Sequence, residues 1–251
     1  MANLLNNLFD KIYVLTIQRN LDRHPTVLKN LEGINFEFWY GLDASVKFED
    51  KKYVAEIPQE FFEDENIDKE FVSRSTKGQL GAYISIKNMI DHVSKSDYAQ
   101  VLIFEDDFIS TTNHWQKIVA KALKELPPDW DILLLGYYYQ GFLYKYAYER
   151  SLRWIVIAWN YIKYRLSTKN IKVLPKKFSR HLDRSGVCYG GHAYCLSKKG
   201  AINLSKYLNP MKESGDVLVS KLIIEEKLNA YSVYPCLFLQ NTKFESKTKI
   251  V

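Results

Sequence analysis

The chain has 251 residues, 47% of them hydrophobic and 25% charged, the balance of a soluble globular protein with enough apolar residues for one large domain or two small ones. No run of 18 or more residues lacks a charge, which argues against a membrane-spanning helix, and Met1–Phe9 has neither the basic start nor the apolar run of a signal peptide. The net charge of +6 is uneven: residues 137–180 hold ten Lys/Arg against Glu149 alone, so that segment carries +9 and the remainder −3. Local basicity points to one surface for an anionic partner and away from a general nucleic-acid binder.

The apolar run Lys11–Ile17 predicts a first strand. Gln18–Asp22 reads as a turn and about Arg23–Leu31 as a helix, ended by Gly33. Asn35–Tyr40 alternates polar and aromatic residues, a second strand. Together these make a parallel βαβ unit, with Gly41-Leu42-Asp43 at its carboxyl end. Residues 45–73 are acidic and irregular, a surface excursion. Thr76-x-x-Gln79 is a capping box, opening a helix with Tyr83, Ile86, Ile90 and Val93 on one face.

Val101-Leu102-Ile103-Phe104 reads as a strand buried on both faces, as in a parallel sheet. It ends in Glu105-Asp106-Asp107. Side chains alternate along a strand, so Glu105 and Asp107 share one side and Asp106 takes the other. Ligands in open α/β sheets bind beyond strand carboxyl ends, and paired carboxylate oxygens suit Mg²⁺ or Mn²⁺ on a diphosphate. The same triplet reads equally as a loop start leading into a helix. Asn113-x-x-Gln116 predicts a second capping box, with Trp115, Ile118, Ala122 and Leu126 on one helical face and Pro127-Pro128 as the stop. Asp131–Gly136 is another buried strand.

Residues 137–180 carry 12 of the 36 aromatic residues besides their ten positive charges. Such a segment suits a membrane interface or an acidic acceptor glycan. It also suits a helical insertion with aromatic rings inward and Lys/Arg solvated. No nucleic-acid recognition motif frames it, and no nucleic-acid partner is expected. Gly190-Gly191 permits close backbone approach to a ligand, and His192 is the imidazole best placed to join a carboxylate site. Ala193–Leu196 predicts a strand, Ser197 a helix cap running on to about Leu208, and Ser214-Gly215-Asp216 a further helix start. Ala230–Pro235 is the last expected strand, and Lys243–Val251 a frayed tail. Cys188, Cys195 and Cys236 make neither a metal-type pair nor an even disulfide set, so they are expected as packed thiols in a reducing, cytoplasmic setting.

In this order the pieces resemble glycosyltransferase family 25, the lipopolysaccharide-type galactosyltransferases and their collagen-modifying relatives. The resemblance rests on Leu15–Arg23, Gly41-Leu42-Asp43, Lys77–Ser85, Phe104–Asp107, Gly191–Tyr194 and Asp216. Two positions depart from it: Gln79 stands where the family usually has Glu, and Ile86 where it has His. The resemblance implies an α/β, single-domain, A-type (Rossmann-like) nucleotide-sugar glycosyltransferase fold over residues 1–251, with 137–180 as a basic aromatic helical insertion. It implies inverting transfer of a hexose, galactose favoured, from a UDP-sugar with Mn²⁺ or Mg²⁺, onto a glycan or lipid-linked acceptor. The implied metal ligands are Asp107, Glu105 and His192. The implied donor contacts are Thr16, Arg23, Asp43, Glu105, Asp106, Gly191 and His192. Asp216 is the implied general base, with Glu213 as a nearby substitute. The expected location is cytoplasmic, with peripheral contact to the inner membrane through 137–180. The two departures keep a non-catalytic nucleotide- or glycan-binding relative as a second reading, and the basic segment keeps a membrane-surface module as a third.

Overall fold

In this computed structural model the described residues are 3–43, 68–139 and 175–244. Most of the acidic excursion, the body of the basic aromatic segment and the end of the tail lie outside them. The strands are β1 (Lys11–Thr16), β2 (Glu37–Tyr40), β3 (Gln100–Glu105), β4 (Phe108–Ser110), β5 (Ile132–Tyr139), β6 (Lys176–Lys177), β7 (Leu182–Arg184), β8 (Cys188–Ser197), β9 (Ala230–Val233) and β10 (Phe238–Gln240). The helices are α1 (Asn3–Asn6), α2 (His24–Asn30), α3 (Lys69–Arg74), α4 (Lys77–Lys95), α5 (Trp115–Glu125), α6 (Lys198–Ser205) and α7 (Gly215–Ile224). The turn at Gln18–Arg23 is a 3₁₀ segment leading into α2.

All ten strands join one sheet, whose main path is β2-β1-β3-β8-β5-β9-β7-β6, with β10 pairing β4 and β5 at its side. β1 runs parallel to β2 and β3. The sequence expectation of a parallel environment for β3 holds on one side only, because β8 lies antiparallel against its other edge and against β5. The reason is topological. The chain leaves β5 at the carboxyl end and re-enters β8 there, and a return from the same end needs antiparallel pairing, not a crossover.

β3 shows why the sheet is the centre of the fold. Val101 and Ile103 face one apolar cluster with α4, α6 and α7, while Leu102 and Phe104 face another with α1, α2 and α5. All four are at most 1% exposed, each worth roughly 1.5–3 kcal/mol of transfer free energy. The result is helices on both faces of a mixed sheet, the three-layer α/β architecture that an unbroken apolar strand demands.

Local signals hold in part. Thr76 Oγ1 accepts from Gln79 N–H and Gln79 Oε1 from Thr76 N–H, the predicted capping box. Ser197 caps α6 through Gly200 N–H, although the helix stops at Ser205. The second expected box fails: α5 starts at Trp115 behind His114, with no side-chain cap, and its buried stripe is Trp115, Val119 and Ala122. With Trp115 anchored against Phe104 and Phe238, the i, i+4, i+7 face turns inward and Ile118 stays only partly buried. The expected Ala193–Leu196 strand is the end of the longer β8, and β9 stops at Val233. β10 has no counterpart in the sequence reading.

Candidate active site

The strand carboxyl ends converge on one cavity of about 380 Å³, reached by Thr16 at the end of β1, Asp43 after β2, Glu105 at the end of β3 and His192 in β8. β3 ends at Glu105, and Asp106 and Asp107 form the turn into β4, so this turn, and not the expected strand alternation, sets where the triplet points. Glu105 and Asp107 turn towards His192, whereas Asp106 turns towards the 3₁₀ segment.

Asp106, 5% exposed, is fully engaged. It accepts hydrogen bonds from Thr16 Oγ1 at 2.6 Å, Asn20 Nδ2 at 2.9 Å and Arg23 Nη1 at 2.6 Å. Arg23 is equally buried, with Asp107 Oδ2 at 3.9 Å and the Phe244 ring centroid 5.2 Å from its guanidinium carbon. Thr16, Asn20, Arg23 and Asp106 all line the cavity, and the bonds to Asp106 tie the other three together. They form the rigid wall from which Asp107 projects.

Asp107 is the opposite case. Its Oδ2 accepts from Gln240 Nε2 at 3.0 Å, and its Oδ1 is buried with no hydrogen-bond partner. Glu105 Oε2 accepts from His192 Nδ1 at 3.0 Å, while Asp107 Oδ1 lies 4.0 Å from the same nitrogen. His192 Nε2 is also buried and unpartnered. Burial, followed by the charge of Glu105, raises the Asp107 pKa above the ordinary carboxylate value; Gln240 and His192 only partly offset this. Burial pulls the His192 pKa down, but the Glu105 hydrogen bond and the charges of Glu105, Asp107 and Asp216 outweigh it, and the net shift is upward. Like charges and orphaned polar atoms together are costly in a protein interior.

That cost is what a cation would relieve. Glu105, Asp107 and His192 place ligand atoms within 4.8 Å of one another. Two carboxylates and an imidazole are a donor set for a hard or borderline divalent ion, and orphaned atoms on two of the three residues show that the protein itself does not satisfy them.

Asp216 reaches the same cavity from the first turn of α7. Its Oδ1 accepts from Ser214 Oγ and Val217 N–H, and its Oδ2 from Gly190 N–H at 3.4 Å. Gly190, at φ +77°, lines the cavity beside His192, and a side chain there would press a Cβ to 2.9 Å from Nε2. Gly191, the expected donor contact, sits one step along β8 and does not line it. Asp43 Oδ1 accepts from Arg19 Nη2 at 3.0 Å, and both residues line the cavity. Glu213 is not brought to the site. It pairs with Lys221 at 3.1 Å and lines a separate cavity, because the chain turns at Ser214 into α7.

Three contributors escaped the sequence reading. Asn20 lies inside a segment read as a turn and as part of the Leu15–Arg23 motif, with no role assigned to it. Gln240 belongs to a three-residue strand too short to show a period. Tyr138 packs edge-on to His192 at 5.2 Å and accepts Gln240 N–H at its hydroxyl. Asn20, beside Arg23, had a signal of sorts as a polar residue in a motif. Gln240 had none.

A sequence model of glycosyltransferase family 25 (LPS biosynthesis protein) matches residues 9–219, most of the chain. The chain belongs to glycosyltransferase family 25. The match runs from the start of β1 through the acidic triplet, β8 and Asp216, so it contains every cavity residue above except Gln240. Membership in family 25 implies glycosyltransferase activity, with a sugar donor and a glycan acceptor as partners. No curated protein is significantly similar to the chain. Among solved structures, the crystal structure of A197 from STIV is similar at TM-score 0.39 and 12% identity, over 94% of this chain and 86% of that one, a likeness too distant to carry an argument. The two departures from the family-25 pattern have clear places. Gln79 is committed to the α4 cap, and Ile86 packs near Gly215 at the start of α7. Among the described residues no helix is long and apolar enough to cross a membrane.

Proposed function

We propose that this family-25 chain transfers a hexose, galactose favoured, from a UDP-sugar to a glycan or glycolipid acceptor in lipopolysaccharide or surface polysaccharide synthesis, with inversion at the anomeric carbon. The observation that carries the reading is the Glu105–Asp107–His192 cluster, with its two orphaned buried atoms, on the wall of a 380 Å³ cavity at the strand carboxyl ends.

Asp107, Glu105 and His192 would hold Mn²⁺ or Mg²⁺, which supplies Lewis-acid charge for a diphosphate leaving group. The buried Asp106–Arg23–Asn20–Thr16 network fixes the backbone from which Asp107 projects, and Gln240 fixes its rotamer, so the carboxylate is held in place before ligand binds. Asp43, steadied by Arg19, offers a carboxylate to the donor's hydroxyl groups. Asp216 takes the proton from the acceptor hydroxyl as the hydroxyl oxygen bonds to the anomeric carbon and the bond from that carbon to the phosphate oxygen breaks. Two donors, Ser214 Oγ and Val217 N–H, hold its Oδ1, so the base is positioned as well as present. We read residues 1–251 as one A-type, Rossmann-like nucleotide-sugar domain, cytoplasmic, with the basic aromatic segment making peripheral membrane contact; the expected insertion over 137–180 is narrower at both ends, because Tyr137–Tyr139 belong to β5 and Lys176–Lys177 to β6.

The test is UDP release from a panel of UDP-sugars, with Mn²⁺ or chelator, and with or without galactose- or glucose-terminated acceptors. Metal-dependent, acceptor-stimulated release from one donor, abolished in Asp107→Ala, is the expected result. Full activity in Asp107→Ala removes the metal assignment. Metal-dependent UDP binding without turnover on any acceptor would favour a non-catalytic relative, the reading that Gln79 and Ile86 motivate.

A further inference from the structure

A second cavity, about 290 Å³, lies between the 206–213 loop and the flank of α7. Its floor is apolar: Leu218 and Leu222 are buried, with Tyr207 and Pro210 beside them. Four lysines surround that floor, Lys206, Lys212, Lys221 and Lys227, against two carboxylates. The carboxylates are already used, Glu213 by Lys221 at 3.1 Å and Glu225 by Lys227 at 2.7 Å. Lys206 and Lys212 have no ion-pair partner among the described residues, which leaves the described rim with two more positive than negative charges. An apolar floor with a few convergent charged groups is the usual make-up of a ligand pocket, and lysine serves as a point charge for phosphate or carboxylate.

The loop that carries these groups is held in place. Tyr83 Oη donates to Leu208 O at 2.6 Å in the core, and Leu208 and Met211 are each 2% exposed. The cavity also adjoins the candidate active site through the chain itself. Glu213 and Leu218 line this cavity, and Asp216 between them lines the other. Three residues of chain span at most about 11 Å, so the backbones of Glu213 and Asp216 stand no further apart than that.

We propose that this lysine-rimmed cavity is a subsite for an acidic saccharide unit of the acceptor, one bearing a phosphate or carboxylate group, bound while a neighbouring hydroxyl lies at Asp216. The inference rests on the reading of this chain as a transferase with a glycan acceptor, and names the chemical class of that acceptor. It also gives Glu213 a different part from that of a substitute base: it holds Lys221 at the rim.

The experiment is calorimetric titration of the full chain in chelator, without donor, so that neither metal nor UDP-sugar is involved. The probes are a galactose-terminated disaccharide, its 6-phosphate and its uronic-acid analogue. The expected result is about tenfold tighter binding of at least one acidic probe than of the neutral one, from two screened lysine contacts. That preference should disappear in Lys206→Gln/Lys212→Gln, which alters only side chains at the rim, and persist in Lys117→Gln/Lys121→Gln on α5, across the sheet. Preference for the phosphate alone identifies a phosphorylated unit, and equal preference for both acids identifies any anionic sugar. Equal affinity for all three probes, or a preference that survives in Lys206→Gln/Lys212→Gln, overturns the proposal. The UDP-release assay separates it from the wider reading. Acidic preference without UDP release leaves the subsite and removes the transferase, whereas release without acidic preference does the reverse.

Discussion

Asp106→Asn and Asp107→Asn make the same chemical change at adjacent positions and are expected to act oppositely. Asp106 accepts three hydrogen bonds in the interior, one from an arginine as buried as itself. An amide there presents a donor to donors and leaves Arg23 to Asp107, a charge partner at 3.9 Å. Removing one member of a buried ion pair costs about 3–5 kcal/mol. The remaining Asp107 contact argues for the lower end, so about 3 kcal/mol, or a Tm lower by about 6–12 °C for a chain of this size. Asp107 has an orphaned oxygen and faces Glu105, and an amide can still accept from Gln240. In chelator, Asp107→Asn should therefore stay within about 1 kcal/mol of the parent, like substitutions that break no buried network. Adding Mn²⁺ at about a hundred times its dissociation constant stabilises a binding protein by about 2.7 kcal/mol. The parent should show that gain in full, Asp106→Asn should keep part of it because its metal-facing groups remain but their support is loosened, and Asp107→Asn should show none. Thermal melts of the three proteins, each with chelator and with Mn²⁺, read every value needed. Equal destabilisation by both substitutions, or an Mn²⁺ gain retained in Asp107→Asn, would refute the division of the triplet into a structural and a metal-facing carboxylate.

Gln240→Ala removes the hydrogen bond that orients Asp107, and such supporting contacts are typically worth about 10–100-fold in metal affinity. Mn²⁺ titration should show that loss with little change in Tm, and unchanged affinity would mean that Asp107 needs no orienting partner. Glu125, at the end of α5, accepts from Ser179, from His181 N–H and from the His181 ring; burial opposes ionisation, but these bonds win and hold its pKa at about 2. A depressed carboxylate stabilises fully above its unfolded value near 4.5 and loses that contribution as pH falls towards 2. The ideal figure, about 3 kcal/mol, shrinks to about 1–2 kcal/mol with solvent screening. Glu125→Gln should thus be less stable than the parent at pH 7 and converge with it in urea melts by pH 2; a gap independent of pH would count against this linkage. Gly41→Ala places a Cβ 2.3 Å from Ser85 Oγ and 2.6 Å from Ser85 Cβ, an overpacking expected to cost about 1–3 kcal/mol. Adding Ser85→Gly should recover part of it, and a neutral Gly41→Ala would show that the loop moves aside freely.

The features legible without coordinates were those set by neighbours in the chain. Alternation predicted that Glu105 and Asp107 would part from Asp106; they do, but through the turn between β3 and β4, since β3 ends at Glu105. The Thr76–Gln79 box could be read because both partners lie within one turn. The same pattern misled at Asn113–Gln116, where Trp115 packing against Phe104 and Phe238 decided where α5 begins. The antiparallel setting of β8 was hidden too, since strand pairing depends on which edge is free when the chain returns.

By itself, then, the sequence determined the family and the two-sided burial of β3, both consequences of residue order and backbone geometry. Only the tertiary structure decided which polar atoms remain unpaired. It closed Asp106 with Thr16, Asn20 and Arg23, left Asp107 Oδ1 and His192 Nε2 open, brought Gln240 to Asp107 from a strand 133 residues later, and set Glu213 in a neighbouring cavity. Those outcomes depend on contacts between distant segments, and in a close-packed interior a group's chemistry follows from what is packed against it.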